Sequence, residues 1–258
     1  MGYPVFPDKH ALPAMLTAER MIEFRRRQGD LAASAPRAVV ICLYTGVMKR
    51  FWLRYRSRRV RGLRGDLHLI ARTGGRVGVL GNIGIGAPAI TNAGEELIAW
   101  GTRRLVILSL AGGLRPELGP GAIVVVDRAI RDEGTSYHYL APARDVAASA
   151  GLVDAIARGL SSRGVAHTVG ATWSTDAPYR ETHEEAAQFA KEGAAAVDME
   201  SAGLFAAAQT RGADAASVFV VADSLAGPRW SAPPDMRSLH RTMKRMLDVL
   251  IDVLDEGR

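Results

Sequence analysis

The sequence has one cysteine, Cys42, so no disulfide can form within the chain. Its setting, Ala38-Val39-Val40-Ile41-Cys42-Leu43, reads as a buried strand, which argues against a catalytic thiol. Long apolar runs are lacking as well: none reaches the roughly 18 residues that cross a bilayer, so no membrane partner is expected. The stretch from Met1 to Arg20 is broken by Pro4, Asp8, Lys9, Pro13 and Glu19, leaving no room for the apolar core of a signal peptide. A cytoplasmic location is the expectation. No internal repeat, low-complexity tract or linker divides the chain, and one domain is the simplest organisation. The glycine-rich stretch Gly81-Asn82-Ile83-Gly84-Ile85-Gly86 lacks the Gly-x-Gly-x-x-Gly spacing, so no dinucleotide-binding fold follows from it.

What is present supports a folded α/β protein. With 258 residues, 48% of them hydrophobic, the chain can bury a substantial core. The formal charge of +6 is local, because Arg50, Arg54, Arg56, Arg58, Arg59, Arg61 and Arg64 crowd into one stretch. Such a cluster reads equally as a holder of phosphate or an acidic partner and as a solvated loop. Aromatic residues interleave with it only at Phe51, Trp52 and Tyr55, so a nucleic-acid partner is not expected.

Apolar runs predict strands at Ala38–Leu43, Val77–Leu80, Leu105–Leu110, Ala122–Val126, Ala166–Ala171, Ala194–Val197 and Ser217–Val221. Helical patterns fill Ala89–Trp100, Ala147–Arg163, His183–Glu192, Ser201–Arg211 and Pro234–Leu254. Several strand runs lack polar alternation, as expected of a sheet covered by helices on both faces. Ligands of open α/β sheets bind beyond the carboxyl ends of the strands, so residues there carry the interest.

Three such ends stand out. Gly81–Pro88 follows a strand and opens a helix; its backbone N–H groups suit an anion, and equally a tight connection. Asp198-Met199-Glu200 ends a run before the helix at Ser201. Its carboxylates either accept hydrogen bonds from vicinal hydroxyls, as ribose offers, or oppose the dipole of the helix. Asp223 and Ser224 close another run, as an acid at a site or as a turn former. The loop Trp173–Thr182 adds Tyr179, which can stack on a planar base.

Taken together, Gly84–Pro88, Ala111-Gly112-Gly113-Leu114, Asp132–Tyr139, Val197–Ser201 and Ala222-Asp223-Ser224 resemble, in order, the nucleoside phosphorylase family. That family includes hexameric purine nucleoside phosphorylase, uridine phosphorylase and the methylthioadenosine/adenosylhomocysteine nucleosidases. The resemblance implies a three-layer αβα domain over residues 1–258 with a central mixed sheet, and residues 1–36 at a subunit interface. It implies that Met199 packs against the sugar, that Glu200 and Asp198 bind its hydroxyls, and that His10 reaches the ribose 5′ side of a neighbouring subunit. Asp223 would sit beside purine N7 as the acid, helped by Arg237, with Tyr179 on the base. Uridine is disfavoured, because Thr182 and Glu184 replace the Gln and Arg with which uridine phosphorylases read uracil.

The resemblance is less complete at the attacking group. Phosphorylases place an Arg and a Ser or Thr where Ile107 and Leu110 stand, leaving Arg64, Gly46 and Arg50 as phosphate ligands. Nucleosidases carry a Glu after the first strand, and Tyr44-Thr45-Gly46-Val47-Met48-Lys49-Arg50 contains no acid. Phosphate needs only positioning by cations and N–H groups, whereas water needs a base, so phosphorolysis of a purine nucleoside to base and ribose 1-phosphate is the expected reaction. A hydrolytic nucleosidase, acting on a nucleoside or a nucleotide, and a non-catalytic nucleoside-binding homologue are the alternatives. The resemblance further implies a homo-oligomer, dimeric or hexameric, with no metal or organic cofactor and phosphate as co-substrate.

Overall fold

All five residues of β1 (Ala38–Cys42) are buried, and successive side chains point to opposite faces, so this strand needs helices on both sides. The computed structural model, which describes residues 6, 8–29, 31, 34–227 and 229–256, has that arrangement. Val39 and Ile41 face one apolar layer; Ala38, Val40 and Cys42 face the other.

Helix α1 (Ala18–Arg27) precedes β1. The Arg-rich segment forms two short helices, α2 (Thr45–Met48) and α3 (Phe51–Tyr55), and an edge hairpin of β2 (Arg58–Val60) and β3 (Asp66–Leu69). Strand β4 (Val77–Gly81) turns into α4 (Ala87–Trp100), followed by β5 (Arg104–Gly113), β6 (Ile123–Asp132), β7 (Asp145–Ala147) and α5 (Ala150–Ser162). The chain continues through β8 (Thr168–Thr175), α6 (His183–Lys191), β9 (Ala194–Asp198), α7 (Ser201–Arg211), β10 (Asp214–Ser224) and α8 (Met236–Glu256). Helices α5 and α8 cover one face of the sheet, and α4 and α7 cover the other.

The sheet is mixed. Parallel β4, β1 and β5 form one half, with β3 and β2 added antiparallel at the edge. In the other half β10 runs parallel to β5 and antiparallel to β6, β6 parallel to β8, and β8 parallel to β9. Strand β9 returns antiparallel to Gly112 and Gly113, closing β5, β10, β6, β8 and β9 on themselves. Backbones approach closely at that closure. A Cβ on Gly112 would lie 2.6 Å from Leu225 Cδ1 and 2.9 Å from Val197 Cγ1, so only glycine fits without a shift.

Each predicted strand and helix has a counterpart, with shifted ends. The helix expected from Ala147 starts at Ala150, because Asp145–Ala147 pairs with β6 as β7. The pattern did not anticipate α1 or the β2–β3 hairpin. Arg58 and Arg59 are exposed, and charge on an edge strand hides its period while discouraging pairing with another chain. Several arginines are engaged structurally: Arg54 pairs with Asp248 of α8 at 2.8 Å, Arg76 with Asp255 at 2.8 Å, and Arg59 with Asp66. Among the described residues no helix is long and apolar enough to cross a membrane.

Candidate active site

Pairing of β1 with β5 stops at Leu108, so the last residues of β5 extend past β1 and are flanked by β9 and β10 instead. A cleft of about 600 Å³ opens at these strand ends, a volume suited to a small organic ligand. Ser109 to Gly112 form part of its floor. Val197 to Glu200, Asp223, Trp230, Pro178, Tyr179 and Glu181 are among the residues that complete the walls.

The β9–α7 junction places Asp198 and Glu200 in different roles. A helix begins with N–H groups that have no partner within it, and Asp198 meets two of them. Its Oδ2 accepts from Glu200 N at 2.9 Å and Ser201 N at 2.7 Å. Its Oδ1 accepts from Ser174 Oγ at 2.7 Å and Thr172 Oγ1 at 3.2 Å. Burial pushes Asp198 above the usual carboxylate range, while the hydroxyl and amide donors pull it back. Three donors, and the Thr172 hydroxyl whose single proton is shared with Ala196 O, already occupy its two oxygens, leaving Asp198 little acceptor capacity for a sugar hydroxyl. Asp198 lines the cleft, and the hydrogen bonds it makes brace the β9–α7 junction.

Glu200 instead faces the cleft. Its Oε1 accepts from Gly86 N at 2.7 Å and its Oε2 from Met199 N at 3.2 Å, tying the glycine turn before α4 to the start of α7. Gly86 has φ 93°, a conformation that favours glycine, which is why that N–H can aim at the carboxylate. About four lone-pair positions minus these two bonds leave two, which matches a pair of vicinal hydroxyls. Burial, and then the charge of Asp198, push Glu200 up to about 7. Met199 is half-buried in the same wall.

At the other end of the cleft a register shift between Val221 and Asp223 separates the tip of β10 from the regular ladder. Asp223 lines the cleft, and its Oδ2 accepts the indole N–H of Trp230 at 2.6 Å. The expected helper was Arg237. That residue is exposed in the first turn of α8, its backbone N–H donates to Asp235 Oδ1 at 2.8 Å, and its side chain does not line the cleft. The loop preceding α8 thus brings a neutral donor to Asp223 where a cation was anticipated. Tyr179 stands at the rim, 99% exposed in the isolated chain. Beside it Glu181 enters the cleft, and burial together with the charges of Asp223 and Glu185 pushes it up to about 7.

Trp230 and Glu181 were not singled out from the sequence. An aromatic seven residues past a strand-end acid and a carboxylate in an already suspect loop were the available signals. Neither has a periodicity to mark it.

The expected phosphate ligands stand elsewhere. Gly46 lies in α2, where an added Cβ would be 2.7 Å from the Tyr44 ring. Arg50 is exposed between α2 and α3 with φ 53°. Arg64 and His10 lie together in a second groove, of about 840 Å³, with Thr135 and His138 of the Asp132–Tyr139 block. Ile107 is fully buried in the core, and Leu110 occupies the cleft floor. Among the described residues no Arg, Lys or His lines the cleft, against four carboxyl groups that do: Glu181, Asp198, Glu200 and Asp223. Among the described residues no group of three or more His, Cys, Asp or Glu is placed to hold a metal ion.

Residues 54–255 match a family model described as the phosphorylase superfamily. The chain is 32% identical over 186 residues to the purine nucleoside phosphorylase DeoD-type of Caldanaerobacter subterraneus subsp. tengcongensis, covering 68% of this chain and 77% of that one. The purine nucleoside phosphorylase DeoD-type of Streptococcus gordonii is 28% identical over 188 residues, covering 70% and 76% of the two chains. Among solved structures, AMP nucleosidase from Bacteroides thetaiotaomicron superposes with a TM-score of 0.71 at 18% identity, over 92% of this chain and 98% of its own, a likeness of fold. The family match spans most of the sequence and the mixed sheet closes as described above; the chain belongs to the phosphorylase superfamily.

Proposed function

We propose that this protein cleaves the N-glycosidic bond of a purine nucleoside. One observation carries the reading: Gly112 pairs with Val197 of β9 on one side and with Asp223 of β10 on the other. Two strand spacings, about 10 Å, therefore separate the sugar-binding junction from the acid at the base end, the scale of a nucleoside laid across the strand tips. Glu200 accepts the sugar hydroxyls, Met199 packs against the ring, and Tyr179 and Trp230 flank the base. As the bond from C1′ to N9 breaks, its electrons leave with the purine and positive charge grows on the sugar. Carboxylates around the sugar stabilise that charge in a partly dehydrated cleft. No cofactor is used.

The charge of the lining favours water as the attacking group. A phosphate anion entering a cleft whose described lining holds four carboxyl groups and no cation finds nothing to neutralise its charge, a cost that a neutral water does not bear. The products are then free base and ribose. Phosphorolysis, the reaction expected from the sequence, is the second reading. It is favoured by the names of the two phosphorylase relatives and by Arg64 and His10, which share a groove from which a second copy of the chain would deliver them to a neighbour's cleft.

Inosine, adenosine, guanosine and uridine, assayed with and without phosphate and with both products identified, test the proposal. Phosphate-independent release of a purine with free ribose is expected. Ribose 1-phosphate would establish the second reading, and binding of nucleosides with no release would overturn both.

A further inference from the structure

Two carboxylates, Glu181 and Asp223, meet at the base end of the cleft, and their surroundings differ. Asp223 accepts the Trp230 indole N–H at 2.6 Å, a bond that is strongest when the acceptor is ionised. Glu181 is half-buried, and among the described residues its carboxyl has no hydrogen-bond partner. It is nonetheless held in place. The next residue, Thr182, closes a capping box with Glu185: the Glu185 side chain accepts from Thr182 N at 3.0 Å, and Thr182 Oγ1 accepts from Glu185 N at 3.2 Å.

From this arrangement we propose that Glu181, and not Asp223, carries the proton delivered to the departing base, an inference that rests on the nucleoside-cleaving reading above. In the step, the C1′–N9 electron pair moves onto the purine and the Glu181 carboxyl proton passes to ring nitrogen N7. Water adds to C1′ and its proton passes to solvent, and Glu181 takes a proton back from solvent once the base has left, so there is no net change in the protein. Asp223, held by the Trp230 indole N–H, orients the base by accepting from it. The charged groups facing Glu181 are Asp223 at the tip of β10, Glu185 in the first turn of α6, and Asp198 with Glu200 across the cleft floor. Its chain neighbours Arg180 and His183 are exposed. Burial, Asp223 and Glu185 act together to push Glu181 up to about 7, which keeps it substantially protonated near neutrality, the state a general acid needs.

The test compares inosine with 7-methylinosine, whose base departs neutral without receiving a proton. Glu181→Gln should lose about 10²–10³-fold in kcat/KM on inosine, the usual worth of a general acid, and stay within about threefold of wild type on 7-methylinosine. For the wild type, protonation of Glu200, also pushed up to about 7, should bend the profile of kcat/KM on inosine down on the acid side, and above a pH of about 7 the profile should fall tenfold per unit as Glu181 loses its proton. Asp223→Asn removes the like charge and should move that limb toward the ordinary glutamate value of 4.5. Inosine activity retained by Glu181→Gln would return the proton to Asp223, and equal losses on both nucleosides would make Glu181 a structural residue. Either result overturns the proposal while leaving nucleoside cleavage intact. Failure of the wild type to release base from either nucleoside overturns both.

Discussion

Asp198 allows its supporting role to be separated from direct sugar binding. Replacing it with Ala removes the acceptor for two backbone N–H groups, Glu200 N and Ser201 N, and for the Ser174 hydroxyl, all in a site that is buried. Each buried donor left unpaired costs about 1–3 kcal/mol, so Asp198→Ala, with three of them, should lose roughly 3–9 kcal/mol. Thr172 is spared, because its hydroxyl also donates to Ala196 O at 3.1 Å. Asp198→Asn keeps one oxygen. Turned toward the two backbone N–H groups, it leaves only the Ser174 hydroxyl unmatched, a loss of about 1–2 kcal/mol. Urea unfolding should report that order, with Tm falling by about 2–4 °C for each kcal/mol. The activity of Asp198→Asn should decline less than about tenfold, since no sugar bond is lost. If Asp198 bound ribose directly, Asn would instead leave stability nearly unchanged and cost activity about as much as a change at Glu200. Unfolding of Asp198→Ala within about 1 kcal/mol of wild type would refute the reasoning.

The remaining expectations concern the other walls of the cleft. Glu200→Gln should reduce kcat/KM about 10–100-fold through weakened hydroxyl binding, and should leave kcat less affected than KM. Glu200 rises on folding from 4.5 to about 7, so the folded state binds more protons in that window; its contribution is present below pH 4.5 and lost as pH rises through 7. The loss is about 3 kcal/mol, and the pH dependence of unfolding by urea should flatten by that amount in Glu200→Gln. Trp230→Phe keeps the ring and removes the N–H from Asp223, so kcat/KM on inosine should fall about 3–10-fold while affinity for the free base changes little. Gly112→Ala places a Cβ 2.6 Å from Leu225 Cδ1, and thermal unfolding should show a cost of about 1–3 kcal/mol together with reduced activity.

Sequence periodicity by itself determined the α/β class and the position of the strand ends, because strands buried on both faces are written as unbroken apolar runs. Resemblance marked Glu200 and Asp223 through their short local contexts. What stayed hidden depended on contacts between residues far apart in sequence. Asp198 and Glu200 look equivalent in Asp198-Met199-Glu200, and only the hydroxyls of Thr172 and Ser174 claim one of them for the scaffold. Arg237 and Trp230 are both reasonable partners for Asp223 along the chain, and the loop before α8 settles on the indole. The Arg-rich stretch suggested an anion site, yet Arg54 and Arg59 pair with carboxylates of α8 and β3, and none of its arginines lines the cleft. A charge acts through distance and burial, and the order of residues does not contain either until the sheet has closed.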